Sequence, residues 1–174
     1  MTVRLPSDDF RFVVQHTSIC ALDLIVENKN GDVLLGLRTN PPAQGFWFVP
    51  GGRIYKNEEI KNTIWRVLRE ETGLGQDDVA TVTLHGLYDH VYEENIFYDV
   101  SFNTHYIIGA CRIILRDGAL VRPDSQHTQL RFFPLVELQA DKRVHRFVKY
   151  YFTSNPPNGL LACSSRKPPT QINL

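Results

Sequence analysis

The sequence predicts an α/β (α+β) domain in which a mixed β-sheet is packed between helices. Three observations lead there. Apolar, β-branched runs bounded by turn residues recur along most of the chain. One amphipathic helical stretch interrupts them at about residues 58–72, and two more helical stretches follow the last strand. Strands, one helix, more strands and terminal helices in that order suit a sheet covered on both faces.

The elements follow in order. "SDDFRFVVQH" reads as a short helix with Ser7 as its cap and Asp8 and Asp9 at its positive end. "ICALDLIVEN" is a strand, and residues 28–32, "NKNGD", turn it into a second strand, "VLLGLR". "NPPAQG" is an irregular loop, because its prolines remove donors and restrict their neighbours. "FWFVP" is a short strand running into the Gly51–Gly52 turn, and the next helix stops at Gly73. "VATVTLHGLYDHVYEE" and "THYIIGACRIILRDG" are long β stretches joined by a loop at residues 95–101. "VRPDSQHTQ" is a polar loop and "LRFFPL" a short strand. "LVELQAD" and "KRVHRFVKYYF" are the closing helices. In the second, Val144, Phe147, Val148 and Tyr151 form a docking face. Residues 1–154 make one domain, and residues 155–174, rich in Pro and Ser and without periodicity, a mobile or draped tail.

The composition narrows the function classes. Of 174 residues, 19 are acidic and 19 basic, so the basic excess expected for a nucleic-acid or membrane-surface partner is missing. No apolar run reaches the length of a membrane span, and the first dozen residues do not resemble a secretory signal. Cys20, Cys111 and Cys163 are odd in number, far apart and without a C-x-x-C. Neither a disulfide framework nor a zinc site is expected, and a reduced, cytoplasmic setting is.

One residue stands out in the helix at 58–72. At roughly 100° per residue, Ile60, Ile64, Val67 and Leu68 gather on one side, and Glu71 falls among them. A buried, unpartnered carboxylate is expensive, so the position implies a partner: such an acid either takes up a proton or finds a cation. Arg66 and Glu70, four apart, make an ordinary surface pair.

Gly52, Glu58, Arg66, Glu70, Glu71, Gly73 and Leu74 resemble the Nudix box, G-x5-E-x7-R-E-U-x-E-E-x-G-U, where U is apolar. One fixed position departs: the glutamate expected after the arginine is Val67. The resemblance implies the Nudix fold, a loop-helix-loop on a mixed sheet, with glutamates holding divalent cations against a diphosphate. Mg²⁺ suits such oxygen ligands, with Mn²⁺ a possible substitute. The flanks "LLGLRTNPPAQGFWFVPGGR" and "DSQHTQ" are similar to the GDP-mannose mannosyl hydrolase subgroup, from about residue 9 to 152. That subgroup attacks the anomeric carbon and releases GDP with inversion.

What the resemblance implies can be assigned by residue. His127 is the catalytic base, its ordinary pKa near 6.5 suiting proton uptake at neutral pH; on its own it reads as a surface loop histidine. Gln126, the Gly51 carbonyl, Glu71 and Glu70 are the metal ligands. Arg38 and Arg53 take the diphosphate and steady the leaving group, although Arg38 alone also reads as an exposed strand-end cation. Asp23 interrupts an apolar strand and is therefore paired or functional; by resemblance it contacts the substrate, the sugar being one candidate part. His90, Tyr92 and Tyr106 are sugar or base contacts, or core aromatics. A homodimer is implied, with Asp9 and Phe10 reaching a partner's nucleotide. The expected substrate is a nucleotide sugar. Retention of both Glu70 and Glu71 keeps one alternative open, an ordinary Nudix pyrophosphatase attacking phosphorus; the other alternative is a non-catalytic Nudix-fold binding module, against which the intact Glu70–Glu71 pair and His127 argue.

Overall fold

A computed structural model describes residues 5–121 and 127–161. Helix α1 (Ser7–His16) leads into β1 (Ile19–Glu27) and β2 (Val33–Arg38). Short strands β3 (Trp47–Phe48) and β4 (Gly51–Arg53) precede helix α2 (Ile60–Thr72). Long strands β5 (Val79–Tyr92) and β6 (Thr104–Leu115) follow, then β7 (His127–Phe133), α3 (Leu135–Ala140), α4 (Arg146–Tyr150) and β8 (Gly159–Leu161). The sheet order is β3-β2-β1-β6-β5-β8, with β4 paired to β1 and β7 to β2.

Strand β1 explains both the layering and the cleft. It runs parallel to β6 along its whole length and is buried on both faces, which is why it reads as a nearly unbroken apolar run. Leu22, Leu24 and Val26 pack with Ile64, Val67 and Leu68 of α2. Ala21 and Ile25 pack on the other face with Phe147, Val148 and Tyr151. The sheet is therefore sandwiched between α2 and the C-terminal helices. On its other edge β1 meets β2 at Glu27–Val33, whereas Ala21, Leu22 and Asp23 pair with Arg53, Gly52 and Gly51 of β4. Strand β2 diverges to pair with β3 and β7. The sheet splays beside Asp23, and a cleft opens there.

Local chemistry sets the boundaries. The β1–β2 turn is closed by the Asn28 side-chain oxygen, which accepts the Asn30 and Asp32 N–H groups at 2.9 and 3.0 Å. Helix α2 ends at Gly73, left-handed at φ 71°, whose N–H returns to the Arg69 carbonyl.

The structure corrects several sequence expectations. Ser7 is the first residue of α1 rather than its cap; Pro6 precedes the helix and no side chain caps it. Helix α2 starts at Ile60, and Ile60, placed by the periodicity on the apolar face, is 57% exposed in its first turn. The Gly51–Gly52 turn is itself a strand, held by the β1 ladder. The polar loop ends earlier than expected: His127 is the first residue of β7, opposite Arg38 across the ladder. The last predicted helix is only five residues long. Part of the supposed tail is ordered too, since residues 159–161 form β8 against Gly86–Tyr88 of β5.

Candidate active site

The cleft has a volume of about 330 Å³ and is lined from β1, the β2–β4 region, α2, β5 and β6. It brings together Asp23, Arg38, Arg53, Gly51, Glu70, Glu71, His90, Tyr92 and Tyr106. Asp9 and Phe10 do not line it. Asp9 is exposed on α1, and the Phe10 ring lies 3.6 Å from the Arg53 guanidinium of the same chain. Gln126 lies outside the described residues. His127 is placed by its backbone alone, beside Arg38.

Glu71 is 4% exposed, as the helical projection requires. Its Oε2 accepts the Gly51 N–H at 2.9 Å, which ties the end of α2 to β4. Glu70 and Glu71 occupy the last turn of α2, the negative end of the helix dipole, where carboxylates are disfavoured by about 0.3–1 kcal/mol each. Two acids thus lie against the dipole, one of them buried at the cleft. The donor set of two carboxylates and the neighbouring Gly51 carbonyl is all hard oxygen and fits Mg²⁺, which keeps several waters. Among the described residues, no group of three or more His, Cys, Asp and Glu side chains is gathered for a metal. A cation there would therefore depend on water and substrate oxygens for much of its shell.

Val67 stands where the resemblance expects another acid. It is 1% exposed and belongs to the core beneath α2. A Cβ on Gly52 would lie 2.8 Å from Val67 Cγ2, so β4 sits directly on this side chain. A Cβ on Gly51 would meet Asp23 Oδ1 at 2.4 Å. Both glycines are required by the close approach of β4 to its neighbours.

Arg66 braces the loop that enters α2. Its Nε and Nη2 donate to the two Glu58 oxygens at 2.6 and 2.9 Å, Nη2 also donates to the Arg53 carbonyl at 2.8 Å, and Nη1 donates to Glu70 at 3.1 Å. This bidentate clamp holds the Glu58 carboxyl down at about 2. Arg38 is set by its Nε–H, which donates to the Pro42 carbonyl at 2.8 Å.

The floor of the cleft is polar and buried. Desolvation pushes the Asp23 carboxyl up to about 7, against the hydrogen bond from Tyr151 and the Arg38 charge. Burial, then the nearby His145, push His90 down to about 3, so its ring is neutral at physiological pH. His90 stacks on Phe147 with centroids 4.2 Å apart. The sequence reading missed Tyr151 and His145 as members of this floor. Its spacing of Val144, Phe147, Val148 and Tyr151 marked a docking face, which it is, but the Tyr151 hydroxyl also reaches Asp23.

A model of the family described as the NUDIX domain matches residues 18–154, most of the chain. The chain belongs to the Nudix family. It is 36% identical over 132 residues to the low-salt glycan biosynthesis protein Agl8 of Haloferax volcanii, covering 76% of this chain and 81% of that protein. Among solved structures, the MutT Nudix hydrolase from Burkholderia pseudomallei aligns with a TM-score of 0.61 at 19% identity, covering 78% of this chain and 96% of that one. The Nudix domain of Shewanella oneidensis NrtR, complexed with ADP ribose, aligns at 0.53 and 15% identity, covering 80% and 90%. At these identities the two structures establish the fold, which is the mixed Nudix sheet with few helices. Within it, the Nudix box runs from β4 through α2, with Glu58 and Arg66 as the brace and Glu70 and Glu71 at the cleft.

Proposed function

We propose that this Nudix protein hydrolyses GDP-mannose, or a close GDP-hexose, to GDP and free sugar by water attack at the anomeric carbon with inversion. One observation carries the reading: a single cleft is lined both by Arg38, Arg53, Glu70 and Glu71 and by a polar floor of Asp23, His90, Tyr92 and Tyr106. A diphosphate fits the first and a polyhydroxylated sugar the second. The similarity to a protein named for glycan biosynthesis supports a nucleotide-sugar substrate.

In this reading Glu71, Glu70, the Gly51 carbonyl and Gln126 hold Mg²⁺, for which Mn²⁺ substitutes. Bound there, the cation supplies positive charge for the diphosphate. Arg38 and Arg53 line the same end and offer planar, permanently charged donors to phosphate oxygens, which favours GDP as a leaving group without a general acid. Asp23 and the neutral His90 bind and orient the sugar. His127, at the edge of β7 beside Arg38, takes the proton from the attacking water. Inversion requires base and leaving group on opposite sides of the sugar. We assign the chain to a homodimer as well, which light scattering tests directly.

Attack at phosphorus is the second reading, and the presence of both Glu70 and Glu71 at the cleft favours it. Hydrolysis in ¹⁸O-labelled water separates the two. Label in free mannose, with unlabelled GDP, supports attack at carbon. Label in GMP or mannose 1-phosphate contradicts it. The His127→Gln variant should lose at least about a hundredfold in kcat, the usual contribution of a general base; turnover equal to wild type removes His127 from this role.

A further inference from the structure

Tyr151 belongs to the hydrogen-bond network of the cleft floor without lining the cleft itself. It follows α4 directly and is 1% exposed. Its position is fixed from three sides. The His85 Nε2–H donates to its carbonyl at 2.8 Å, its ring meets Tyr88 edge-on with centroids 4.8 Å apart, and it tilts against His90 at 5.8 Å. Tyr88 is held in turn by β8: a Cβ on Gly159 would fall 2.2 Å from the Tyr88 ring, so the backbone there rests on the aromatic face.

A phenol has one proton to give. The Tyr151 hydroxyl donates it to Asp23 Oδ2. Its oxygen lies 3.3 Å from His90 Nε2, so at that contact the imidazole must donate. A neutral ring with its proton on Nε2 has a bare lone pair on Nδ1. That Nδ1 is buried with no hydrogen-bond partner among the described residues, and lies 3.9 Å from Asp23 Oδ2. The bare His90 Nδ1 and, in its ionised form, the adjacent Asp23 carboxylate are acceptors that suit the hydroxyl protons of a sugar.

We propose that Tyr151 is a positioning residue: its hydroxyl orients the Asp23 carboxylate and selects the His90 tautomer, so that both present acceptors to the hydroxyl groups of the substrate's sugar. This inference rests on the nucleotide-sugar reading for the ligand, though not for the tautomer. Without the hydroxyl, His90 gains by moving its proton to Nδ1, facing Asp23, and the acceptor pair is lost.

The test compares wild type, Tyr151→Phe and Tyr88→Phe. The Tyr88 hydroxyl is buried in the same aromatic cluster without a hydrogen-bond partner among the described residues, so its removal controls for packing. Imidazole ¹⁵N spectra of the free proteins should show the His90 proton on Nε2 in wild type and Tyr88→Phe, and on Nδ1 in Tyr151→Phe. In parallel, Tyr151→Phe should lower kcat/KM for GDP-mannose about tenfold, leave GDP affinity within about twofold, and add nothing further in an Asp23→Ala background, the non-additivity expected of coupled residues. A wild-type proton on Nδ1, an unchanged tautomer in Tyr151→Phe, equal losses in Tyr88→Phe, or equal weakening of GDP would each overturn the proposal. A wild type that does not distinguish GDP-mannose from GDP overturns the sugar reading, and the spectra then decide the positioning role by themselves.

Discussion

Replacing Glu58 by glutamine tests whether the Arg66 brace holds the site loop in place. The glutamine keeps the shape and can still accept the Tyr55 N–H, which bonds to Glu58 Oε2 at 3.1 Å, but it removes the charge from the bidentate pair. A carboxyl held at about 2 instead of 4.5 corresponds to at most about 3–4 kcal/mol at neutral pH, at about 1.4 kcal/mol per pH unit. The Arg66 side chain is 21% exposed, and screening by water reduces the figure to about 1–2 kcal/mol. In a chain of this size that is a fall in Tm of about 2–8 °C. The sign with pH follows from the depressed folded value. The stabilisation is complete above the unfolded value of about 4.5 and is lost as pH falls through about 2. Urea titrations of both proteins at pH 7, 4 and 2.5 should therefore show a gap that narrows with acidity. A gap independent of pH, or none at pH 7, refutes the reasoning.

Two further substitutions probe the cleft. Asp23→Asn should raise stability in the metal-free protein while reducing activity, because the carboxyl is held at about 7 by burial. A raised folded value means stability is lost as pH rises from about 4 to 7, so the variant's advantage should grow across that window and level off above it; differential scanning calorimetry at pH 4, 6 and 8 checks this. Val67→Glu, which restores the missing acid of the Nudix box, should destabilise the metal-free protein by about 2–4 kcal/mol, because the side chain is buried and pressed by Gly52. Excess Mn²⁺ should recover part of that loss, and a thermal melt unaffected by either change would contradict the packing described.

Much of this site was legible in the sequence because helical periodicity is a local signal. Glu71 projects into the apolar face of its helix on spacing alone, and its burial follows. Asp23 was conspicuous through a different local signal, as an acid inside an apolar strand. Arg66 showed one of its partners through i,i+4 spacing, but its stronger clamp on Glu58 crosses a loop and needs the fold. Tyr151 could not be assigned to the floor, since it meets Asp23 across 128 positions of sequence. The projection failed at Ile60 because periodicity reports which face a residue is on, not whether anything packs over it at the helix end. Strand β8 was invisible because a three-residue edge strand has no alternation to read, and its place is set by the packing of Gly159 on Tyr88.

The most direct test of the account is the Mg²⁺ dependence of the Glu71→Gln variant, since this acid is where helix, β4 and cleft converge. Glutamine is nearly isosteric and keeps an oxygen for the Gly51 N–H, so the fold should survive while the charge is lost. Calorimetric Mg²⁺ titration and nucleotide-sugar turnover should show weakened cation binding and a fall in kcat of at least about a thousandfold, several kcal/mol of lost charge stabilisation. A folded variant with wild-type magnesium affinity and turnover would contradict the account.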